Sequence, residues 1–257
     1  SGMTVNEAKS HLLERSEDLV RHELARTVRQ LEEEARGEAK RRARALVANS
    51  GNSNVFTGRA GREVVERTAT ETARLLGCKP EEVFISSTGV IGEPPPLDRV
   101  MEALPRAAKA LSEEAWDIAA RAIMTTDTFP KVATATAEID GVRVRINGFC
   151  KGSGMIAPDM ATMLGYLFTD AAIHLAALQQ MLAEANRTSF NCVTVDGDTS
   201  TSDTVLLFAT GKAGNAPLDR GDDRRSASFR GALLIWWRAS AAIRPRAYPS
   251  GLRQYFA

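Results

Sequence analysis

The densest chemistry in this sequence lies between Asn147 and Leu164, where Cys150, Lys151, Ser153, Asp159 and Thr162 alternate with Gly148, Gly152 and Gly154. A glycine-rich loop carrying a lysine is a candidate phosphate cradle, yet the spacing G-x-x-x-x-G-K-[ST] is absent, so phosphate binding is not expected here. A second turn, Ser87-Thr88-Gly89-Val90-Ile91-Gly92, follows an apolar run. Turns of this kind can aim backbone N–H groups at an oxyanion.

A nucleophile needs a proton acceptor, and histidine is the common one. Only His11, His22 and His174 are present, two of them in a charged segment and none beside a serine or cysteine motif. A Ser-His-Asp or Cys-His arrangement therefore has little support. An α-amino group can replace histidine: its pKa near ~8 leaves it partly neutral around neutrality, and a threonine at a chain N-terminus carries one beside its own hydroxyl. Such a terminus has to be made by cleavage of the chain.

Metal chemistry is the rival. Val193-Thr194-Val195-Asp196-Gly197-Asp198 ends an apolar run in two aspartates, as in the aspartyl-nucleophile loop of Mg²⁺-dependent phosphatases, and Gly221-Asp222-Asp223 could pass for a later metal motif. Too little chain follows Asp196 to build such an enzyme's core. A calcium loop fails because Thr201 stands where glycine is required and Leu207 where glutamate is required. The expectation is no metal and no resident cofactor.

Three zones must position these residues. Residues 1–44 are rich in Glu, Arg, Leu and Ala, and Val20, Leu24, Val28, Leu31 and Ala35 recur at helical spacing, which predicts a long amphipathic helix. Ser1-Gly2 ahead of Met3 reads as a cloning remnant. In residues 45–211 strands and helices alternate. Strands are expected at 45–48, 83–85, 131–138, 142–146, 165–168 and 191–195, and helices at 63–76, 97–111, 113–124 and 171–185. Asp140-Gly141 marks a hairpin, since both turn positions need positive φ. This pattern predicts an α/β fold, a layered sandwich with mixed and antiparallel sheets. Residues 212–257 hold Lys212 and eight arginines against three aspartates and no glutamate. They read as a divergent basic tail, with Leu233 to Trp236 packing on the core.

The whole chain sits inside the ordinary globular range: 257 residues, 44% hydrophobic, 25% charged, net charge +1. That balance offers no general attraction to nucleic acid or anionic lipid. No apolar run is long enough for a membrane span, and three cysteines without a C-x-x-C pair suit a reducing cytoplasm.

Five ordered segments resemble the bifunctional ornithine acetyltransferase and N-acetylglutamate synthase family of arginine biosynthesis. They are Val47 to Asn54, Ser87 to Gly92, Met124 to Thr128, Lys151 to Leu164, and Ser189 to Thr201. The resemblance implies an αββα-type sandwich and self-cleavage between Ala161 and Thr162, which frees Thr162 as an acetyl-accepting nucleophile. It implies that Thr88 and Gly89 form the oxyanion hole, and that Lys151 and one of Thr125 and Thr126 bind substrate. The implied substrates are N-acetylornithine, ornithine and glutamate, with acetyl-CoA as a donor in bifunctional members. The implied assembly is an oligomer of cleaved α and β chains. The family's later motifs, a Gly-Glu-Gly-Ala segment among them, are not found beyond Gly211. An inactive derivative, or a protein that associates through its long helix, is accordingly the second expectation.

Overall fold

The computed structural model describes residues 43–152, 163–192 and 202–240, with side chains to Trp237. These fall within one compact unit that starts at Ala43. The helix expected over residues 5–44 as far as residue 42, the cleavage site at Ala161 and Thr162, and Asp196 and Asp198 lie outside the described residues, and Ala43 and Arg44 are not helical.

Two sheets are present. Strands β1 (Ala45–Asn52) and β2 (Val83–Val90) pair in parallel, from Ala45 opposite Val83 to Asn52 opposite Val90. Helix α1 (Gly58–Leu76) provides the crossover between them and stops at Gly77, whose φ of 67° places it in the left-handed conformation that closes helices. The second sheet has the order β3 (Lys131–Ile139), β4 (Val142–Lys151), β5 (Leu164–Thr169), β6 (Thr204–Ala209). Its first two pairings are antiparallel and the last is parallel. The β3–β4 hairpin turns on Asp140 and Gly141, with φ of 52° and 78°, as the Asp-Gly signal requires.

Both faces of the four-stranded sheet are covered. Alternation along β3 sends Ala133, Ala135, Ala137 and Ile139 to one face, where they meet α4 (Leu175–Arg187) and α5 (Ala227–Ser240) through Met181, Phe229, Leu233, Trp236 and Trp237. On the opposite face Phe149, Leu164 and Tyr166 pack with Ala120 of α3 (Trp116–Ala122), and with Leu46 and Ala48 of β1. Phe84 of β2 meets Phe208 of β6 edge-to-face at 5.8 Å. The two sheets are thus stacked, and α1, with α2 (Leu97–Lys109) against it, takes the side of β1 and β2 to which Val47 and Ile85 alternate. This helix, sheet, sheet, helix stacking is the layered α/β sandwich expected.

Several boundaries differ from expectation. β1 runs on through Asn49–Asn52 instead of entering a loop, and β2 includes Ser86 to Gly89, because each polar stretch finds a ladder partner in the other. Asn191 and Cys192, expected in a strand, lie in a single 3₁₀ turn, Phe190–Cys192. The strand β6 was not anticipated. Residues 212–237 supply Leu218, Phe229, Leu233, Trp236 and Trp237 to the main core, so packing shows no break at residue 211.

One glycine is dictated by the pairing of β1 with β2. Gly89 has φ of 128°, and a Cβ there would lie 2.3 Å from both the carbonyl carbon and oxygen of Gly51, its ladder partner. Neither backbone atom can give way without breaking the strand pair. Gly89→Ala is expected to cost at least about 2 kcal/mol, measured by denaturant unfolding; a loss under about 0.5 kcal/mol would show that the ladder yields.

Candidate functional site

Lys151 closes β4, and the burial that ends this strand takes its ammonium out of water: the residue is only 2% exposed. Two of its three N–H donors go to threonine hydroxyls, Thr125 Oγ1 at 2.8 Å and Thr88 Oγ1 at 3.1 Å. Thr88 comes from the far end of β2 and is buried; Thr125 comes from the loop after α3 and is exposed. Three of the residues singled out in the sequence, drawn from three separate segments, therefore meet at one ammonium group. Gly89 follows Thr88 directly, with its N–H beside the cluster in sequence, while Thr126 is exposed next to Thr125.

The loop that carries Thr125 is fixed by its neighbours. Ser50 Oγ of β1 donates to the Met124 carbonyl at 2.8 Å, and Ser87 Oγ donates to Asn49 Oδ1 at 2.6 Å across the β1–β2 pair. The Asn-Ser-Gly-Asn and Ser-Ser-Thr-Gly segments thus hold each other and the 124–128 loop in register.

Asp127 is the residue the sequence reading passed over. Its carboxylate is almost wholly buried and accepts from the Lys131 ammonium, from the Gly152 amide at 2.8 Å and from the Thr125 amide at 3.4 Å. Burial alone would push this carboxyl up, but the hydrogen bonds from Lys131 and Gly152 and the charges of Lys131 and Lys151 hold it below the usual carboxylate range. Lys151 moves the other way from a lysine in water. Burial pulls its pKa down, Asp127 partly restores it, Lys131 lowers it further, and Asp203 raises it. A signal for Lys131 was available, because it opens the inward-facing series 131, 133, 135, 137, 139 and so had to be buried. Asp127 and Asp203 carry no such periodic mark.

The chain returns to this place after residue 162. Met163 donates its amide to Asp203 Oδ1 at 2.8 Å, and Leu164 then opens β5 directly opposite Lys151 in the antiparallel ladder. Connectivity keeps Thr162 within two residues of the lysine's ladder partner.

Of the aspartates of the other candidate site, Asp222 and Asp223 are described, and both hold arginines. Asp222 accepts two hydrogen bonds from the Arg220 guanidinium, at 3.0 and 2.8 Å. Asp223 caps a 3₁₀ turn by accepting from the Arg225 amide, and its second oxygen holds the Arg225 guanidinium. Among the described residues, no group of three or more His, Cys, Asp or Glu side chains is placed to hold a metal ion. No helix among them is long and apolar enough to cross a membrane.

The sequence pattern of the ArgJ family matches residues 23–237, which takes in every element of the site and ends at the buried Trp237. The chain belongs to the ArgJ family. Among its relatives, the arginine biosynthesis bifunctional protein ArgJ of Gluconobacter oxydans is 56% identical over 191 residues, which cover 74% of this chain and 45% of that protein. The protein of the same name from Rhizobium meliloti is 55% identical over 194 residues, 74% of this chain and 47% of its own length. This ArgJ-family chain spans about half the length of the curated relatives it matches. A solved structure of ArgJ from Bacillus halodurans, 31% identical, overlays 46% of this chain and 61% of its own with a TM-score of 0.40, a level from which nothing further is drawn.

Proposed function

We propose that this chain is an acetyltransferase of arginine biosynthesis, moving acetyl from N2-acetyl-L-ornithine to L-glutamate through an ester on Thr162. The observation that carries the reading is the buried Lys151 ammonium held between Thr88 and Thr125, one strand away from the point where the chain resumes after Thr162.

Cleavage comes first. The Thr162 hydroxyl attacks the Ala161 carbonyl carbon, the C–N bond breaks as the nitrogen takes a proton, and water hydrolyses the resulting ester. The new α-amino group is then the base that histidine cannot supply. It accepts the hydroxyl proton as Thr162 attacks the acetyl carbonyl of N-acetylornithine. Negative charge collects on the carbonyl oxygen, where donors from the Thr88-Gly89 turn stabilise it. Ornithine leaves as its amine recovers the proton, and the amine of glutamate takes the acetyl group from the ester. Lys151 contributes a fixed point charge for a substrate carboxylate, and Thr125, whose hydroxyl it already holds, is the threonine of the 125–126 pair assigned to binding. Acetyl-CoA is a second possible acetyl donor, and the working form is an oligomer of cleaved chains in the cytoplasm.

The test is direct: incubation with N-acetylornithine and glutamate should release N-acetylglutamate and ornithine in equal amounts. A chain that releases neither is the inactive derivative. Lys151→Met should lower transfer at least about tenfold, as expected when a buried cation that receives a carboxylate is removed. Equal rates for the variant and the parent would remove Lys151 from the site.

A further inference from the structure

The transfer chemistry leaves a buried ion pair without a task. Asp127 and Lys131 are both almost wholly out of water, and Lys131 also lies over the Phe129 ring, 4.9 Å from its centroid. A buried ion pair is a weak brace, since desolvating two charges offsets most of their attraction and an apolar pair of the same volume often serves as well. What this carboxylate does touch is more specific than a brace. Gly152 is the residue after Lys151, and Thr125 is the residue whose hydroxyl receives Lys151 Nζ. One side chain thus fixes the backbone that follows the lysine and the backbone of its hydrogen-bond partner.

We propose that Asp127, charge-balanced by Lys131, is the positioning residue for Lys151, fixing both of its flanks and supplying the negative charge that two buried ammonium groups share. The proposal rests on reading Lys151 as the receiver of a substrate carboxylate. A neutral lysine would be a poor receiver, so the charge on Lys151 is the quantity that Asp127 controls. Among the described residues, the ionisable groups acting on it are Asp127 and Asp203, which favour its charged form, and Lys131, which opposes it. The two members of the ion pair therefore act on Lys151 with opposite sign.

That sign separates electrostatic positioning from simple support. The chain has seven lysines, so ¹³C-lysine labelling of the whole 257-residue chain gives a small set of side-chain resonances, and Lys151→Met identifies the one of interest. Its titration midpoint should move to lower pH in Asp127→Asn, where a buried negative charge is lost, and to higher pH in Lys131→Met, where a competing positive charge is lost. Loss of a mere brace from either end would shift the midpoint in one common direction or leave it in place, and either result overturns the proposal. Should Asp127→Asn fail to fold, Lys131→Met decides alone, with an upward shift in favour and a fixed or lowered midpoint against. The titration reads the ammonium whether or not acetyl moves. A parent chain without transfer activity would refute the proposed function while leaving this result standing, and same-sign shifts in an active chain would refute only the positioning role.

Discussion

Thr162→Ala should yield a protein that stays whole and transfers no acetyl, with a rate at least about 10⁴-fold below the parent, the scale on which loss of a covalent nucleophile is felt. The resemblance to the family is what implies a nucleophile at Thr162. His174 is the one histidine among the described residues, and it sits on the surface with its Nε2 3.2 Å from Asp219 Oδ1. A hydroxyl without a base is inert at neutral pH, and the amine released beside Thr162 is a base that no side chain has to provide. Alanine removes both the attacking oxygen of cleavage and that of transfer, so the two activities should vanish together. Thr162→Ser keeps the hydroxyl and should retain both. Transfer by an uncut Thr162→Ala chain would place the chemistry elsewhere.

Trp236→Ala should be the most damaging change outside the site, costing about 3–5 kcal/mol, as large-to-small changes of buried tryptophan do. Trp236 is fully buried, its Nε1 donates to the Ala133 carbonyl at 2.7 Å, and its ring meets Trp237 edge-to-face at 5.3 Å. Beneath it lies Gly148, where a Cβ would come within 2.7 Å of the indole and 2.4 Å of the Tyr166 carbonyl oxygen. The glycine of β4 and the tryptophan of α5 are one fitted pair, and Lys151 ends the same strand three residues on. Denaturant unfolding measures the cost. A loss below about 1 kcal/mol would mean that the sheet face tolerates the cavity, a result at odds with its packing.

These two residues also mark the limits of legibility. The hairpin at Asp140-Gly141 could be read because short-range rules govern it, whereas the turn expected at Ser87 to Gly92 became the end of β2 through its pairing with β1. Backbone sterics fix the hairpin turn. Thr88, Thr125 and Lys151 were also named in advance, on a resemblance of ordered motifs; their meeting through two hydrogen bonds is a fact of the fold that no local pattern announces. Helix α5 was harder. Its arginines and alanines resemble an untuned tail, and only the packing of Phe229, Leu233, Trp236 and Trp237 against β3 turns that stretch into a core element. The strand β6 is defined by its pairing with β5, a long-range contact that no local pattern announces. Asp127 escaped for a different reason. A lone aspartate in a Thr-Thr-Asp-Thr loop looks like a turn residue until the amides and the ammonium that converge on it are seen together.

Acetyl transfer through Thr162 requires a new amine at that residue, and intact-mass spectrometry of the unmodified protein after incubation at neutral pH with N-acetylornithine tests for it in one step. Two polypeptides are expected, residues 1–161 and the 96 residues that remain of 257, with one acetyl group on the second that disappears when glutamate is added. A single undivided mass, unchanged by substrate, would contradict it.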